Sequence, residues 1–65
     1  MMIKLEKIDK SGYVFLNTDK IISVETDPSK MGSEVIMDDN VRYWVAEDAQ
    51  NICISIKMAQ AFHEA

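Results

Sequence analysis

Tyr43-Trp44-Val45-Ala46-Glu47-Asp48-Ala49-Gln50-Asn51-Ile52-Cys53-Ile54-Ser55-Ile56-Lys57 is the stretch on which the fold turns. Ile52, Ile54 and Ile56 alternate, as they would in a sixth strand. The same segment also places Ala49, Ile52, Cys53, Ile56, Ala59 and Gln60 on one helical face. Length decides between the two. About sixteen residues pass without Gly or Pro and end in helix formers, Lys57-Met58-Ala59-Gln60-Ala61, which is too long for one strand. Asp48 suits a helix N-cap, with Asn51 three positions later and acids in the first turn to favour the helix dipole. The reading is a helix over about 49–63.

Towards the N-terminus the chain is a series of short strand-like segments separated by turn residues. From Met2 to Ile8, Ile3 and Leu5 fall on one side and Lys4 and Glu6 on the other. Asp9-Lys10-Ser11-Gly12 is a turn cluster with Gly12 free to take positive φ. Tyr13-Val14-Phe15-Leu16 is aromatic and β-branched, so these two segments read as a β-hairpin. Asn17-Thr18-Asp19 is a second turn, and Ile21-Ile22-Ser23-Val24-Glu25 a third strand. The longest irregular stretch, Asp27 to Gly32, holds the only proline and reads as a loop. Two further strands are joined by Asp38-Asp39-Asn40, where Asn tolerates the left-handed conformation of a short hairpin turn. Val41, Tyr43 and Val45 share a face that looks like core.

The fold class is therefore α+β and mainly β, in one domain over 1–65. Five short antiparallel strands, at about 2–8, 12–17, 20–25, 33–38 and 41–46, form a curled sheet or small open barrel, followed by one C-terminal helix. A chain of 65 residues buries only about 60% of its unfolded surface, so the core is marginal. Small domains gain stability from disulfides, a metal, an efficient core or a partner subunit. Cys53 is the only cysteine, which excludes an internal disulfide, and its free thiol fits a reducing cytosol. The terminal helix carries apolar residues on both sides: Ile52 and Ile56 towards the sheet, and Ile54, Met58, Ala61 and Phe62 towards the other. A helix apolar nearly all round buries its second face somewhere. The expectation is a homodimer joined through that helix, or a partner-binding groove.

Chemistry is hard to find in these residues. Cys53 would need His63 to act as a nucleophile, but on a helix ten residues separate them by roughly 15 Å. Cys53 reads instead as a small core hydrophobe, and His63 as a residue near the end of the helix. Asp38-Asp39 and Glu47-Asp48 lack the ligand spacing of a calcium loop, and Gly12 and Gly32 are too isolated for a phosphate loop. No catalytic, cofactor-binding or metal-ligating residue is expected, and the chain reads as a non-enzyme. Arg42 and Trp44 share one strand face and belong to the residue types enriched in binding hot spots. The competing placement packs Trp44 under the terminal helix, and it is the favoured one. The candidate partner-binding residues are Arg42, Trp44, Ile54, Met58 and Phe62.

The formal net charge is −4, from eleven acids and seven bases, which disfavours a phosphate backbone as ligand. No run approaches the roughly 18 apolar residues of a membrane span, and no signal segment is visible. Cytoplasmic location without membrane insertion is the expectation.

The order of features resembles the small bacterial flagellar and swarming-motility FlbD/SwrD family. The matching residues are Met2-Ile3-Lys4-Leu5, Val14-Phe15-Leu16-Asn17 with Asp19 and Ile21, Ile22-Ser23-Val24-Glu25, and Tyr43-Trp44-Val45-Ala46-Glu47-Asp48. The resemblance covers about residues 2 to 56. It implies a non-enzymatic cytoplasmic factor that supports motility through protein contacts, with no catalytic residues to carry over. Two other readings compete with it. One is a phage or mobile-element protein that binds and inhibits a host protein. The other is a small-barrel nucleic-acid-binding regulator using Lys4, Lys7, Lys10 and Tyr13.

Overall fold

A computed structural model of the chain describes residues 1–29 and 31–64, with side chains through residue 61. Five strands, β1 (Met2–Glu6), β2 (Tyr13–Asn17), β3 (Ile21–Asp27), β4 (Gly32–Met37) and β5 (Arg42–Val45), precede one helix, α1 (Ala49–Glu64). All pairings are antiparallel, so the chain is an α+β protein, mainly β. The strands form two sheets, β1-β2 and β3-β4-β5, which do not close into a barrel. A short junction links them: Lys7 bridges Val45, Ala46 N–H donates to the Glu6 carbonyl at 2.9 Å, and Ile8 N–H to the Trp44 carbonyl at 3.1 Å. The order in space is β2-β1-β5-β4-β3. The expected five antiparallel strands and C-terminal helix are present; of the curled sheet or small open barrel expected, the strands form two unclosed sheets whose contact is confined to residues 6–8 of the first hairpin.

Each hairpin turn follows from a few side chains. Lys10 takes φ 62° between β1 and β2, while Lys10 N–H donates to the Lys7 carbonyl. Between β4 and β5, Asn40 takes φ 68° and its N–H donates to the Met37 carbonyl at 3.0 Å. That is a type I turn followed by a left-handed residue, a common three-residue hairpin. The expected long loop is shorter than its sequence suggests, because Asp27 and Gly32 are paired in the ladder. A single turn of 3-10 helix, Thr18–Lys20, joins β2 to β3.

Strand alternation sends one face of each sheet inward. Leu5, Leu16, Val35, Met37 and Val45 form the core with Ile52 of α1, and Ile3, Val14, Ile21, Val24, Tyr43 and Ile56 pack around it. Val41, expected beside Tyr43 and Val45, is exposed; it belongs to the turn, where its N–H meets Asp39 Oδ1 at 3.1 Å. The helical reading of residues 52–56 is correct: Ile52 is fully buried, Ile56 is half-buried and Ile54 is exposed.

The cap of α1 is Asp48, whose Oδ1 accepts the Gln50 N–H at 2.7 Å. The first turn itself contains no acid, contrary to expectation; Glu47 and Asp48 stand just ahead of it. Ser33, fully buried at the start of β4, donates its hydroxyl to the Glu47 carbonyl at 2.8 Å and so fixes where the helix begins. Beside it Gly32 is equally constrained. A Cβ there would collide with the Val45 carbonyl oxygen and stand 2.8 Å from Ile8 Cδ1. Overpacking a site walled by backbone costs about 1–3 kcal/mol. Gly32→Ala is therefore expected to lower unfolding free energy by about 2 kcal/mol in urea titration, and an unchanged midpoint would refute the close approach of Val45 and Ile8 to Gly32.

Candidate functional site

The candidate residues divide between two opposite sides of the molecule. β5 alternates, so Val45 points into the core and Arg42 and Trp44 point out. Across the ladder Arg42 pairs with Ile36 and Trp44 with Glu34. Arg42 Nη1 reaches Glu34 Oε1 diagonally at 3.3 Å, and that carboxylate side chain is only 12% exposed. The ion pair adds little stability at a surface, but it holds the guanidinium next to the indole. Trp44 is 37% exposed. Contrary to the favoured expectation it does not pack under α1, because α1 covers the inner face, where Ile52 meets Val35 and Val45. The β1–β2 turn supplies the remaining wall. Lys7, Ile8 and Asp9 line, with Arg42, Tyr43 and Trp44, a shallow depression of about 230 Å³.

On the other side lies the outer stripe of α1. At 100° per residue, Ile54 and Met58 point away from Ile52, and they are 48% and 58% exposed. Ala61 continues the stripe, while Gln50, Asn51, Ser55 and Lys57 flank it, all exposed. The helix is thus less uniformly apolar than expected. Its buried stripe is narrow, running through Ala49, Ile52, Ile56 and Ala59. Cys53 and Gln60, expected on that face, are exposed: each lies about 80–100° round the helix from Ile52, beyond the width that the sheets cover. The side chains of Phe62 and His63 lie outside the described residues, so the structure does not bear on Phe62 as a contact or on a Cys53–His63 pair.

A third surface was read from the sequence only in part, through Lys4 and Tyr13, and its Phe15 was missed. The β1–β2 register places Lys4 opposite Phe15 and Glu6 opposite Tyr13. Lys4 Nζ sits 4.3 Å from the centre of the Tyr13 ring, a cation–π contact. Tyr13 and Phe15 are 56% and 59% exposed, and Met1 and Met2 extend the same patch. The signal was present in the sequence. Once Val14 and Leu16 face inward, period-two alternation puts Tyr13 and Phe15 outside.

Four aspartates and one asparagine are engaged in backbone geometry. Asp9, Asn17, Asp27, Asp39 and Asp48 each accept the N–H two residues on. Asp38 meets Lys20 Nζ at 3.7 Å. Among the described residues no group of three or more His, Cys, Asp or Glu could hold a metal ion. No helix among them is long and apolar enough to cross a membrane.

At Asp9 the Ser11 hydroxyl, then the Ser11 N–H and the Lys7 charge, hold the carboxyl below its ordinary value. A depressed native pKa contributes stability above the unfolded value, and that contribution is lost as pH falls through the native one. Carbon-detected NMR titration should place the Asp9 midpoint below 3.8 and Ser11→Ala should raise it; a wild-type midpoint at or above 3.8 would contradict the turn geometry. Comparison of this chain with protein-family models, with curated proteins and with solved structures finds no match.

Proposed function

We infer that this chain is a non-enzymatic protein-binding module that seats a partner protein on the outer face of β4 and β5. The observation that carries the reading is Trp44, held half-open beside the ion-paired Arg42 at the edge of a shallow depression. Trp and Arg are the side chains that most often dominate binding energy, and they do so from preformed positions. Here the backbone bond to Ile8 anchors the main chain at Trp44, and the Glu34 carboxylate holds the Arg42 guanidinium. Order before binding lowers the entropic cost of association. Four aspartates committed to turns support the non-enzymatic reading. The FlbD/SwrD resemblance supplies a partner class, cytoplasmic components of the motility apparatus.

One observation favours a second reading, nucleic-acid binding at the β1–β2 face. Lys4, Lys10 and Tyr13 line one depression of about 430 Å³ there, and aromatic platforms with basic neighbours stack bases. Glu6 and Glu47 line it too, and Lys10 is 3.8 Å from Glu6. The net charge of −4 weighs further against it.

Affinity capture from the native host, with and without nuclease, separates the readings. Motility proteins recovered regardless of nuclease, and bound at least tenfold more weakly by Trp44→Ala, are the expected result. The melting temperature of that variant should stay close to wild type, since the indole lies outside the core. Capture indifferent to Trp44→Ala would remove the site, and capture abolished by nuclease would transfer the function to the Lys4–Tyr13 face.

A further inference from the structure

The two outer edges of the β structure are built differently. β3 carries Glu25 and Asp27 and an irregular register between Ile21 and Ser23. Charges and bulges both discourage pairing with a further strand. β2, Tyr13-Val14-Phe15-Leu16-Asn17, has no charge, no proline and no register shift. Nothing in it guards the edge.

The backbone groups of that edge can be assigned from the ladder. Lys7 N–H donates to the Gly12 carbonyl at 2.9 Å, and Thr18 N–H to the Met1 carbonyl at 2.8 Å. Antiparallel pairs alternate between hydrogen-bonded and non-bonded. Gly12, Val14, Leu16 and Thr18 therefore turn their amides towards β1, and Tyr13, Phe15 and Asn17 turn theirs away. The outward amides of Tyr13, Phe15 and Asn17 make no hydrogen bond to another described residue. The same three residues present the exposed rings of Tyr13 and Phe15. Hydrogen-bonding capacity and apolar area coincide on one strand.

We propose that β2 pairs antiparallel with β2 of a second copy, about a twofold axis through Phe15, joining two hairpins into one continuous sheet. In this register Phe15 stands across from Phe15 of the second copy, and Tyr13 across from Asn17. These are three pairs, each able to exchange both backbone hydrogen bonds. β2 carries no charge, so self-pairing brings no like charges together within the paired strands. A net charge of −4 on each copy opposes association at long range, but the strand itself opposes no like charges. Among the residues of the paired strands, the nearest equal charges, Lys4 on each β1, would stand three strand spacings apart. That is about 14 Å, beyond the screening length of about 8–10 Å in physiological salt. The Lys4 contact to Tyr13 keeps that ammonium over its own ring and off the edge. The helical stripe expected to join two copies has a comparable apolar exposure at Ile54 and Met58 but no free backbone to pair.

The proposal does not rest on the Trp44 surface, and mass in solution tests it. Light scattering at tens of micromolar should give twice the chain mass of 7.4 kDa. Phe15→Lys should return the single-chain mass with an unchanged circular dichroism spectrum, the exposed ring having no place in the core. Tyr13→Lys serves equally if that variant fails to fold. Met58→Asp and Trp44→Ala should leave the doubled mass intact. A single-chain mass for the wild type, a doubled mass in folded Phe15→Lys or Tyr13→Lys, or loss of the dimer in Met58→Asp would each overturn it.

Discussion

Everything in this molecule depends on a contact three residues long. The Glu6 carbonyl and the Ile8 N–H meet the backbone of Ala46 and Trp44, and no other described strand pairing joins the two sheets. Without that contact the chain is an isolated β1-β2 hairpin, marginal by itself, and a three-stranded sheet packed against α1. With it, Leu5 and Leu16 come to the same space as Val35 and Val45, and Ile52 fills what remains. The junction also determines the neighbours of Trp44. It brings the β1–β2 turn to the indole, so the candidate binding surface and the architecture share one set of hydrogen bonds. Gly32 stands behind this contact, because Val45 and Ile8 leave room for a hydrogen and nothing larger.

The secondary structure was largely legible because its signals are local. Alternation at Ile3 and Leu5, the Asn40 turn and the Asp48 cap each act within a few residues, and each is where the sequence places it. What was not legible depends on width and distance. A helical wheel orders Cys53 near Ile52, but how far burial spreads from Ile52 is set by the breadth of the sheets beneath, and no local pattern reports that. Trp44 posed a similar difficulty. Its parity with Arg42 was clear, yet which face α1 would cover depended on the path of the chain after Glu47, fixed in part by the buried Ser33 hydroxyl. The exposure of Phe15 beside Tyr13 was overlooked because an unbroken run of four apolar residues hides its own alternation.

Acidity and architecture are closely connected here. Four aspartates and one asparagine each close a local turn by accepting an N–H two residues on. Such side chains tolerate bends that other residues resist, and the chain uses them in place of the glycines it mostly lacks. The negative charge that disfavours nucleic acid is in good part a by-product of how the turns are made. It reports on the fold before it reports on a ligand.

The junction between β1 and β5 also sets the order in which the chain can assemble. Lys7 and Val45 are roughly forty residues apart, whereas each hairpin closes over only a few, and the longer closure costs about 2 kcal/mol more in chain entropy. Synthesis delivers the first hairpin well before β5 exists. During that interval Ile3, Leu5, Val14 and Leu16 lie open on one side and Tyr13 and Phe15 on the other, an apolar ribbon with no covered face. Of the elements described, the β1-β2 hairpin thus waits longest with its apolar faces open before β5 can meet it, and in that interval its unpaired edge is prone to associate with other chains.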